Sequence, residues 1–347
     1  MKNKIIEEDM EMISKSDIDW DIFKNSTILI TGANGFLPAY LVETFLYLND
    51  IKSYYNIKII CLVRNKKKAE ARFDSYLKNK NFSLLIQDVC EEINIIENID
   101  FIIHAASQAS PKYYGSDPVG TLMPNILGTI NLLELAKKKK VKSFLYFSSG
   151  EVYGQVNSRN IIENDFGYLD PTNIRSCYGE SKRMGENICI SYHHQYNINV
   201  KIVRPFHTYG PGMSLEDGRV YADFVKSIIT KKDICLNSDG NAVRAFCYLS
   251  DATIGFIKVL LNGVPGEAYN IGNPTEESSI INLAYTLISL YPEYNLKVNK
   301  EYLNEKSGYI VSKVLNISPN ISKVQKIGWS PKTTLIDGFK RTINSFN

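Results

Sequence analysis

The sequence has few of the residues from which metal sites and disulfide frameworks are built. Its 347 residues include four histidines and six cysteines. No two cysteines form a CxxC pair, and no histidine joins them at the spacing of a metal site. We therefore expect no bound metal and no disulfide framework, and reduced thiols indicate a cytoplasmic protein. Residues 1–12 are acidic and lack the apolar core of a secretion signal.

The net charge is also small, and the sequence has no long hydrophobic run. The 40 basic and 37 acidic residues leave a net charge of +3, which does not indicate a nucleic-acid partner. The longest apolar runs are far too short to cross a bilayer, so we expect no membrane partner. The length fits one large domain or two closely joined domains.

Near-continuous apolar runs alternate with segments of helical periodicity along the first two thirds of the chain. Such runs are typical of parallel strands that helices cover on both faces. The pattern predicts a doubly wound α/β sheet of the Rossmann type. The predicted strands are residues 26–32, 57–64, 82–89, 101–106, 143–149 and 200–205, and the predicted helices are 36–48, 69–77, 121–139 and 174–196.

The alternation loosens after residue 206, which indicates a smaller C-terminal α/β lobe for the substrate. We expect an N-terminal extension at residues 1–25 that is helical or loose. The predicted dinucleotide-binding domain consists of residues 26–206 plus 244–264. The predicted nucleotide-sugar-binding lobe consists of residues 207–243 plus 265–347.

A glycine turn, GANGFLP at residues 32–38, follows the first predicted strand. Gly32 permits the tight turn, and Gly35 lets backbone N–H groups approach a pyrophosphate at the helix N-terminus. Pro38 stands where the dinucleotide fingerprint usually has glycine or alanine. Because proline is tolerated in a first helical turn, we expect a slightly shifted helix and an intact site.

The end of the second strand normally reads the 2′ position of the cofactor's adenosine ribose. An acidic residue there would accept hydrogen bonds from the ribose hydroxyls of NAD, but this chain has Arg64 and Asn65. Arg64 could bind the 2′-phosphate of NADP or stack on the adenine, or it could simply face solvent. The residues alone leave these alternatives open.

A serine turn and a Tyr-x-x-x-Lys pair carry the predicted chemistry. Ser149 ends the fifth strand, and Tyr178 and Lys182 lie on one face of the following helix. A neighbouring ammonium group would stabilise the phenolate of Tyr178, which could then take a proton from a substrate hydroxyl as hydride leaves the same carbon. The Tyr-x-x-x-Lys spacing recurs twice elsewhere in the chain, so only its combination with the glycine and serine turns is specific.

With these motifs the chain resembles the extended short-chain dehydrogenase/reductase superfamily, in its group of nucleotide-sugar epimerases and dehydratases. Within that group it is most similar to the UDP-glucuronate decarboxylases, which are also called UDP-xylose synthases. The resemblance covers about residues 25–345. It is carried by residues 104–118, 174–186, 207–225, 244–252 and 319–333.

The resemblance implies a tightly bound NAD that is recycled in each turnover, and it favours NAD over NADP despite Arg64. It also implies a homodimer that pairs helices 120–139 and 174–196. The implied cofactor-binding residues are Gly32, Asn34, Gly35, Phe36, Leu37, Arg64, Asp88, Val89, Ala105, Ala106, Ser107, Asn125, Ser148, Tyr178, Lys182 and Pro205. The implied substrate-binding residues are Ser110, Lys112, Tyr113, Ser149, Glu151, His207, Arg219, Val220 and Arg244.

The chain departs from the family pattern beside the predicted reaction centre. Ser149 replaces the usual threonine, Gly150 replaces a serine, and His207 replaces an asparagine. The 4,6-dehydratases of the superfamily carry an Asp-Glu pair at positions 150 and 151. Since Gly150 cannot donate a proton, simple 4,6-dehydration is disfavoured, and the lone carboxyl of Glu151 resembles the decarboxylase arrangement.

The resulting hypothesis is a transient oxidation of the sugar at C4. Tyr178 accepts the C4 hydroxyl proton, the product is a β-keto acid that loses CO2, and hydride returns to C4. Ser149 stabilises the enolate oxygen, and Glu151 positions the sugar or relays a proton to C5. The alternatives are a C4 or C5 epimerase, a 4-keto reductase or a 4,6-dehydratase. A dinucleotide-binding regulator without activity is disfavoured, because the chain keeps Tyr178 and Lys182.

Overall fold

The computed structural model describes residues 3–156, 158–300 and 316–346. Its strands are β1 (Thr27–Thr31), β2 (Lys58–Val63), β3 (Phe82–Ile86), β4 (Phe101–His104), β5 (Ser143–Phe147), β6 (Asn160–Ile161), β7 (Val200–Pro205), β8 (Thr208–Tyr209), β9 (Ile234–Leu236), β10 (Val243–Ala245), β11 (Cys247–Tyr248), β12 (Ala268–Ile271), β13 (Glu277–Ser279), β14 (Val298–Lys300) and β15 (Asn316–Pro319).

Helices cover both faces of the main sheet and build much of the lobe. They are α1 (Lys4–Ser14), α2 (Phe36–Ile51), α3 (Lys66–Arg72), α4 (Lys112–Ser116), α5 (Pro118–Lys139), α6 (Cys177–Tyr196), α7 (Val220–Ile229), α8 (Leu249–Asn262), α9 (Ile280–Ser289), α10 (Ser322–Gln325) and α11 (Leu335–Asn344). Short 3₁₀ helices occupy Trp20–Phe23, Asp74–Tyr76, Gly150–Tyr153, Ile174–Ser176 and Pro292–Tyr294.

The main sheet has seven parallel strands in the order β12-β7-β5-β4-β1-β2-β3. The chain reverses its direction of travel across the sheet between β1 and β4, which creates a crevice at their carboxyl ends. β1, β4 and β5 are buried along their whole length, as expected for strands covered on both faces. The predicted doubly wound α/β fold is confirmed.

The predicted strand positions agree with the structure, while several ends differ. In the structure each of these strands ends at or before the residue where its end was predicted. The residues that follow leave the ladder and form loops. The helix predicted at 69–77 begins at Lys66 instead, where the Asn65 side chain accepts the N–H of Lys68 at 3.0 Å. It ends at Arg72 and is followed by a 3₁₀ turn.

Two short segments lie differently from the predicted division into domain and lobe. β12, which the division gave to the lobe, pairs with the edge strand β7 and extends the main sheet, where Tyr269 and Ile271 are buried. β10, whose last two residues the division gave to the main domain, pairs with β13 and β15 in a second sheet of four strands. This second sheet and a separate apolar cluster around Phe224, Phe246 and Phe339 form the lobe.

The N-terminal extension is helical and belongs to the core. Met10 and Ile13 of α1 are buried in the same apolar cluster as β1, α2 and α8. Asp9 is fully buried and accepts hydrogen bonds from the hydroxyls of Tyr40 and Tyr248, both at 2.8 Å. Arg341 of α11 donates to the other oxygen of Asp9 at 2.7 Å. The first and last helices are therefore joined through one buried carboxylate.

Within the described residues, α5 alone is long and apolar enough to cross a membrane by length and composition. Half of it is buried: Leu132, Leu133 and Ala136 lie in the apolar cluster that also contains β4 and β5. Its other end carries Asn125, whose amide donates to the hydroxyl of Ser181 on α6 at 3.0 Å. These contacts are those of a core helix in a globular domain.

Candidate active site

The glycine turn after β1 forms one wall of a cleft at the carboxyl ends of the strands. Gly32 has a φ of +62°, and a Cβ at this position would lie 2.7 Å from the Cα of Ala106, so no larger residue fits. Gly35 caps the N-terminus of α2, and Pro38 is accommodated in the first turn of that helix, as expected. The cleft is lined by Gly32, Asn34, Gly35, Leu62, Val63, Arg64, Asn65, Lys68, Asp88, Val89, Ala106, Ser107 and Pro124.

Half of the predicted cofactor residues line this cleft, and the other half do not. Those that line it are Gly32, Asn34, Gly35, Arg64, Asp88, Val89, Ala106 and Ser107. Those that do not line it are Phe36, Leu37, Ala105, Asn125, Ser148, Tyr178, Lys182 and Pro205. Phe36 and Leu37 open α2 and pack on the core, while Ser148, Tyr178 and Lys182 belong to the centre at the end of β5. Sequence reasoning overlooked Lys68, although it lies one helical turn after Arg64.

Buried polar atoms without partners indicate that the cleft is made to hold a ligand. Among the described residues, the hydroxyl of Ser107, which lines the cleft, is buried and has no hydrogen-bond partner, and the same is true of the side-chain oxygen of Asn125 on α5, outside the lining. Such groups are uncommon in a folded protein unless a ligand or water satisfies them. Together with the glycine turn and the helix N-terminus behind it, they fit a bound dinucleotide.

The predicted catalytic residues come together at the end of β5. Ser149 follows the strand, and its hydroxyl accepts the N–H of Glu151 at 3.2 Å. Tyr178 is the second residue of α6, and Lys182 lies one turn further along the same helix. The ammonium of Lys182 lies 5.7 Å from the centre of the Tyr178 ring and donates to the carbonyl of Phe147 at 2.6 Å. The strand end therefore fixes the position of the ammonium group beside the tyrosine.

Burial governs the protonation of the tyrosine and the lysine. It raises the pKa of Tyr178 to about 12, while a hydrogen bond from Ser149 and the positive charge of Arg219 lower it and Glu151 raises it. Burial lowers the pKa of Lys182 to about 7, and Glu186 acts in the opposite direction. In the free protein, Tyr178 is therefore a protonated phenol at neutral pH. A positive charge added beside it, such as an oxidised nicotinamide ring, would favour the phenolate.

A stack of side chains holds the face of Tyr178. The Tyr114 ring lies 5.1 Å from the Tyr178 ring with an angle of 13° between their planes. The guanidinium of Arg175 lies 5.2 Å from the centre of the Tyr114 ring, and it forms an ion pair with Glu151 at 3.5 Å. The sequence alone indicates no definite role for Tyr114 and none for Arg175. The signal that could have found Arg175 is its place three residues before the tyrosine, at the start of the active-site helix.

The predicted substrate loop bridges the main domain and the lobe. Ser110 donates its hydroxyl to the carbonyl of Asp217, and the ammonium of Lys112 donates to the carbonyl of Glu216 at 2.9 Å. Arg219 donates to the carbonyl of Ala109 at 3.0 Å. Tyr113 is half-buried under the ammonium of Lys112, and Val220 begins α7 directly after Arg219. These predicted residues therefore do come together.

Two arginines and a neutral histidine form the lobe side of the site. Burial and the nearby positive charges of Arg244 and Arg219 lower the pKa of His207 to about 3. Its Nδ1 atom is buried and has no partner among the described residues. The imidazole ring packs edge-on against Phe246 at 6.2 Å. A neutral ring beside two guanidinium groups suits a polar, negatively charged ligand such as a diphosphate.

Comparison with known proteins gives one family over most of the chain. Residues 28–272 match the NAD dependent epimerase/dehydratase family. UDP-glucuronic acid decarboxylase 3 of Arabidopsis thaliana is 33% identical over 316 residues, which are 90% of this chain and 87% of that protein. UDP-glucuronic acid decarboxylase 1 of Xenopus tropicalis is 31% identical over 320 residues, which are 92% of this chain and 72% of that protein.

Solved structures share the fold at lower identity. UDP-glucose 4-epimerase of Thermotoga maritima superimposes with a TM-score of 0.79 at 22% identity, over 92% of this chain and 98% of that one. UDP-glucuronic acid 4-epimerase of Bacillus cereus, solved with UDP-glucuronic acid and NAD, gives 0.77 at 24% identity over the same shares. The family match, the curated relatives and the fold agree with the resemblance read from the motifs, and the chain belongs to the NAD dependent epimerase/dehydratase family.

Proposed function

We propose that this enzyme decarboxylates UDP-glucuronate, or a closely similar nucleotide-linked uronate, to the corresponding UDP-pentose. The observation that carries the proposal is the position of Glu151 beside Tyr178 without a second acid. At Gly150 the nearest atoms to an added Cβ belong to the Phe206 ring, at 3.4 Å, and glycine itself offers no side chain that could protonate a leaving C6 hydroxyl. The curated relatives are named for this decarboxylation.

The residues at the end of β5 would perform the proton transfers. A nicotinamide dinucleotide held in the cleft supplies the acceptor and donor of hydride. Tyr178, as the phenolate that the nearby ammonium of Lys182 stabilises, takes the proton of the C4 hydroxyl and becomes the phenol. The C4 carbonyl that forms accepts electrons from the bond to the departing carboxylate. Ser149 and the phenol of Tyr178 hold the enolate oxygen, and the same phenol returns the proton when C4 is reduced.

The stack beside Tyr178 would orient the uronate. Arg175 and Glu151 form an ion pair at 3.5 Å, which is longer than a well-formed one and leaves the guanidinium able to contact a second carboxylate. Glu151 is exposed to the site, where it can hold a sugar hydroxyl or deliver a proton to C5. His207, Arg219 and Arg244 would bind the diphosphate on the side of the lobe.

We also propose a cytoplasmic location and a homodimeric assembly for the enzyme. Its six cysteines are all free, which suits the reducing cytoplasm. Apolar side chains remain exposed on the two long helices next to the site, Val119 and Met123 on α5 and Met184 and Ile190 on α6. A second copy of the chain would cover them, and we propose a homodimer formed through α5 and α6.

The second candidate is a C4 epimerase that acts on a nucleotide-linked sugar. Gly150 favours it, because a 4-epimerase moves hydride at C4 only and needs no acid at this position. The solved relatives of the same fold include 4-epimerases for UDP-glucose and UDP-glucuronic acid. The two candidates differ in the mass of the product.

Incubation with UDP-glucuronate in D2O separates the candidates. We expect a UDP-pentose that has lost CO2 and carries one deuterium at C5, identified by mass spectrometry and proton NMR. Tyr178→Phe should abolish product formation, while Tyr76→Phe, at another Tyr-x-x-x-Lys match outside the site, should leave it unchanged. A product of unchanged mass would select the epimerase, and unaltered substrate would refute the decarboxylase.

A further inference from the structure

We propose that the cofactor cleft selects a dinucleotide with a phosphate on the 2′ carbon of its adenosine ribose, which is NADP. The proposal concerns the choice between this cofactor and NAD, which the family resemblance favours and with which the Bacillus cereus 4-epimerase was solved. It rests on the dinucleotide site of the proposed function and is independent of which sugar is converted. Its basis is the set of charged side chains at the end of β2.

Two cations face the cleft at this strand end. Arg64 directly follows the last residue of β2, and Lys68 lies in the first turn of α3. Both line the cleft together with Gly32 and Gly35 of the pyrophosphate turn. In this fold the end of the second strand is where the adenosine ribose lies, so its 2′ substituent would lie beside these two side chains.

The acceptor that NAD requires at this position is missing. An acidic residue at the end of β2 accepts hydrogen bonds from both ribose hydroxyls and repels a 2′-phosphate. The chain has Asn65 next to Arg64, and the Asn65 side-chain oxygen already caps α3 by accepting the N–H of Lys68. Among the described residues that line the cleft, one is a carboxylate: Asp88 comes from the loop after β3 and lies 3.6 Å from the guanidinium of Arg64.

The two cations are available to an incoming phosphate. The side chain of Arg64 is 55% exposed, and its contact with Asp88 is too long for a tight paired hydrogen bond. The ammonium group of Lys68 has no ion-pair or hydrogen-bond partner in the part of the chain that the structure describes. A planar guanidinium with an ammonium beside it can bind two or three oxygens of a phosphate dianion. Among the described residues that line the cleft, these two cations face one carboxylate, and the charge of Arg64 also reaches Asp117 just before α5.

The alternative is that Arg64 only stacks on the adenine ring. That contact would be the same in NAD and NADP, because the two cofactors differ only at the 2′ position. The ratio of the two affinities therefore distinguishes phosphate recognition from stacking. Lys67 provides a matched control: it is exposed on the same turn of α3, carries the same charge and does not line the cleft.

The experiment measures binding and needs no sugar substrate. Cofactor that is retained during purification is released with acid and identified by mass spectrometry, and the stripped full-length protein is titrated with NADP+ and NAD+ by calorimetry. We expect NADP+ to bind about tenfold more tightly or better. Arg64→Ala and Lys68→Ala should each reduce the preference by several-fold, mainly through weaker NADP+ binding, while Lys67→Ala should keep it.

Equal or tighter binding of NAD+ by the unaltered protein overturns the proposal, and so does an Arg64→Ala variant that loses both affinities equally. Both affinities are measured on the same protein sample. A loss of correctly folded protein therefore cannot change the ratio of the NADP+ affinity to the NAD+ affinity. Failure of the decarboxylation assay would leave this result standing, because an epimerase or ketoreductase can use the same cofactor site. Failure of the binding test would equally leave the decarboxylation testable.

Discussion

At the scale of single residues, the chemistry depends on how readily Tyr178 loses its proton. Burial holds its pKa near 12, and Ser149 is the neighbour whose hydrogen bond lowers it most. The sequence could predict Ser149, Tyr178 and Lys182, because Ser149 ends a predicted strand and the other two lie one helical turn apart. It could not identify the Tyr114–Arg175 stack, since α4 and the turn before α6 meet only in the folded chain.

Replacing Ser149 should therefore change the pH dependence as well as the rate. In Ser149→Ala the pKa of Tyr178 rises further, so a smaller fraction of the phenol is ionised at any given pH. We expect kcat/KM near neutral pH to fall about tenfold to a hundredfold, and its rising limb to move to higher pH. Ser191→Ala, on the exposed side of α6, is the control. A uniform loss of rate with an unmoved profile would contradict the assigned role.

At the scale of elements, helix and strand identities followed from periodicity, while packing determined the details. β12 was missed as part of the main sheet because nothing local to residues 268–271 shows that the edge of β7 is open. The contact between α2 and α3 could not be predicted from the sequence either. There Glu43 is almost fully buried and pairs with Arg72 at 2.9 Å, and its second oxygen has no partner among the described residues.

The Glu43 pair should make stability fall as pH rises. Burial raises the pKa of Glu43 to about 7 from its ordinary 4.5, although Arg72 opposes this shift. Because the folded pKa is the higher one, the contribution to stability is complete below pH 4.5 and is lost as pH rises through about 7. Relative to Glu43→Gln, the unfolding free energy of the unaltered protein should drop by up to about 3 kcal/mol over this range.

Urea denaturation at pH 5 and pH 8 measures this difference. Glu70→Gln on α3, whose carboxylate is half-exposed and paired loosely with Lys66 at 3.7 Å, serves as the control and should show no such change. A Glu43→Gln variant that follows the unaltered protein at both pH values would show that Glu43 does not titrate in this range.

At the scale of the whole molecule, polar contacts join the two ends of the chain and join the main domain to the lobe. The substrate loop joins the lobe through hydrogen bonds of Ser110, Lys112 and Arg219. The ends are joined by Asp9 and Arg341. The sequence predicted that residues 1–25 form an extension, but a lone aspartate gives no sign of a partner more than three hundred residues away.

Arg341→Ala should destabilise the whole fold. It removes the charged partner of a carboxylate that is fully buried, and such a loss costs about 3 kcal/mol or more. Adding Asp9→Asn should restore part of the stability, because the amide carries no charge that needs a partner. Thermal and urea unfolding of the two variants tests this. Equal stability of the single and double variants would contradict a buried charge at Asp9.

The most direct measurement of the central claim, transient oxidation of the sugar at C4, uses UDP-glucuronate that carries deuterium at C4. We expect turnover to slow with the label and the deuterium to remain at C4 of the UDP-pentose, because the hydride leaves and returns within one bound complex. The claim would be contradicted if deuterium appeared in water or accumulated in released cofactor. It would also be contradicted if the label left the rate unchanged and the UDP-pentose contained no deuterium at C4.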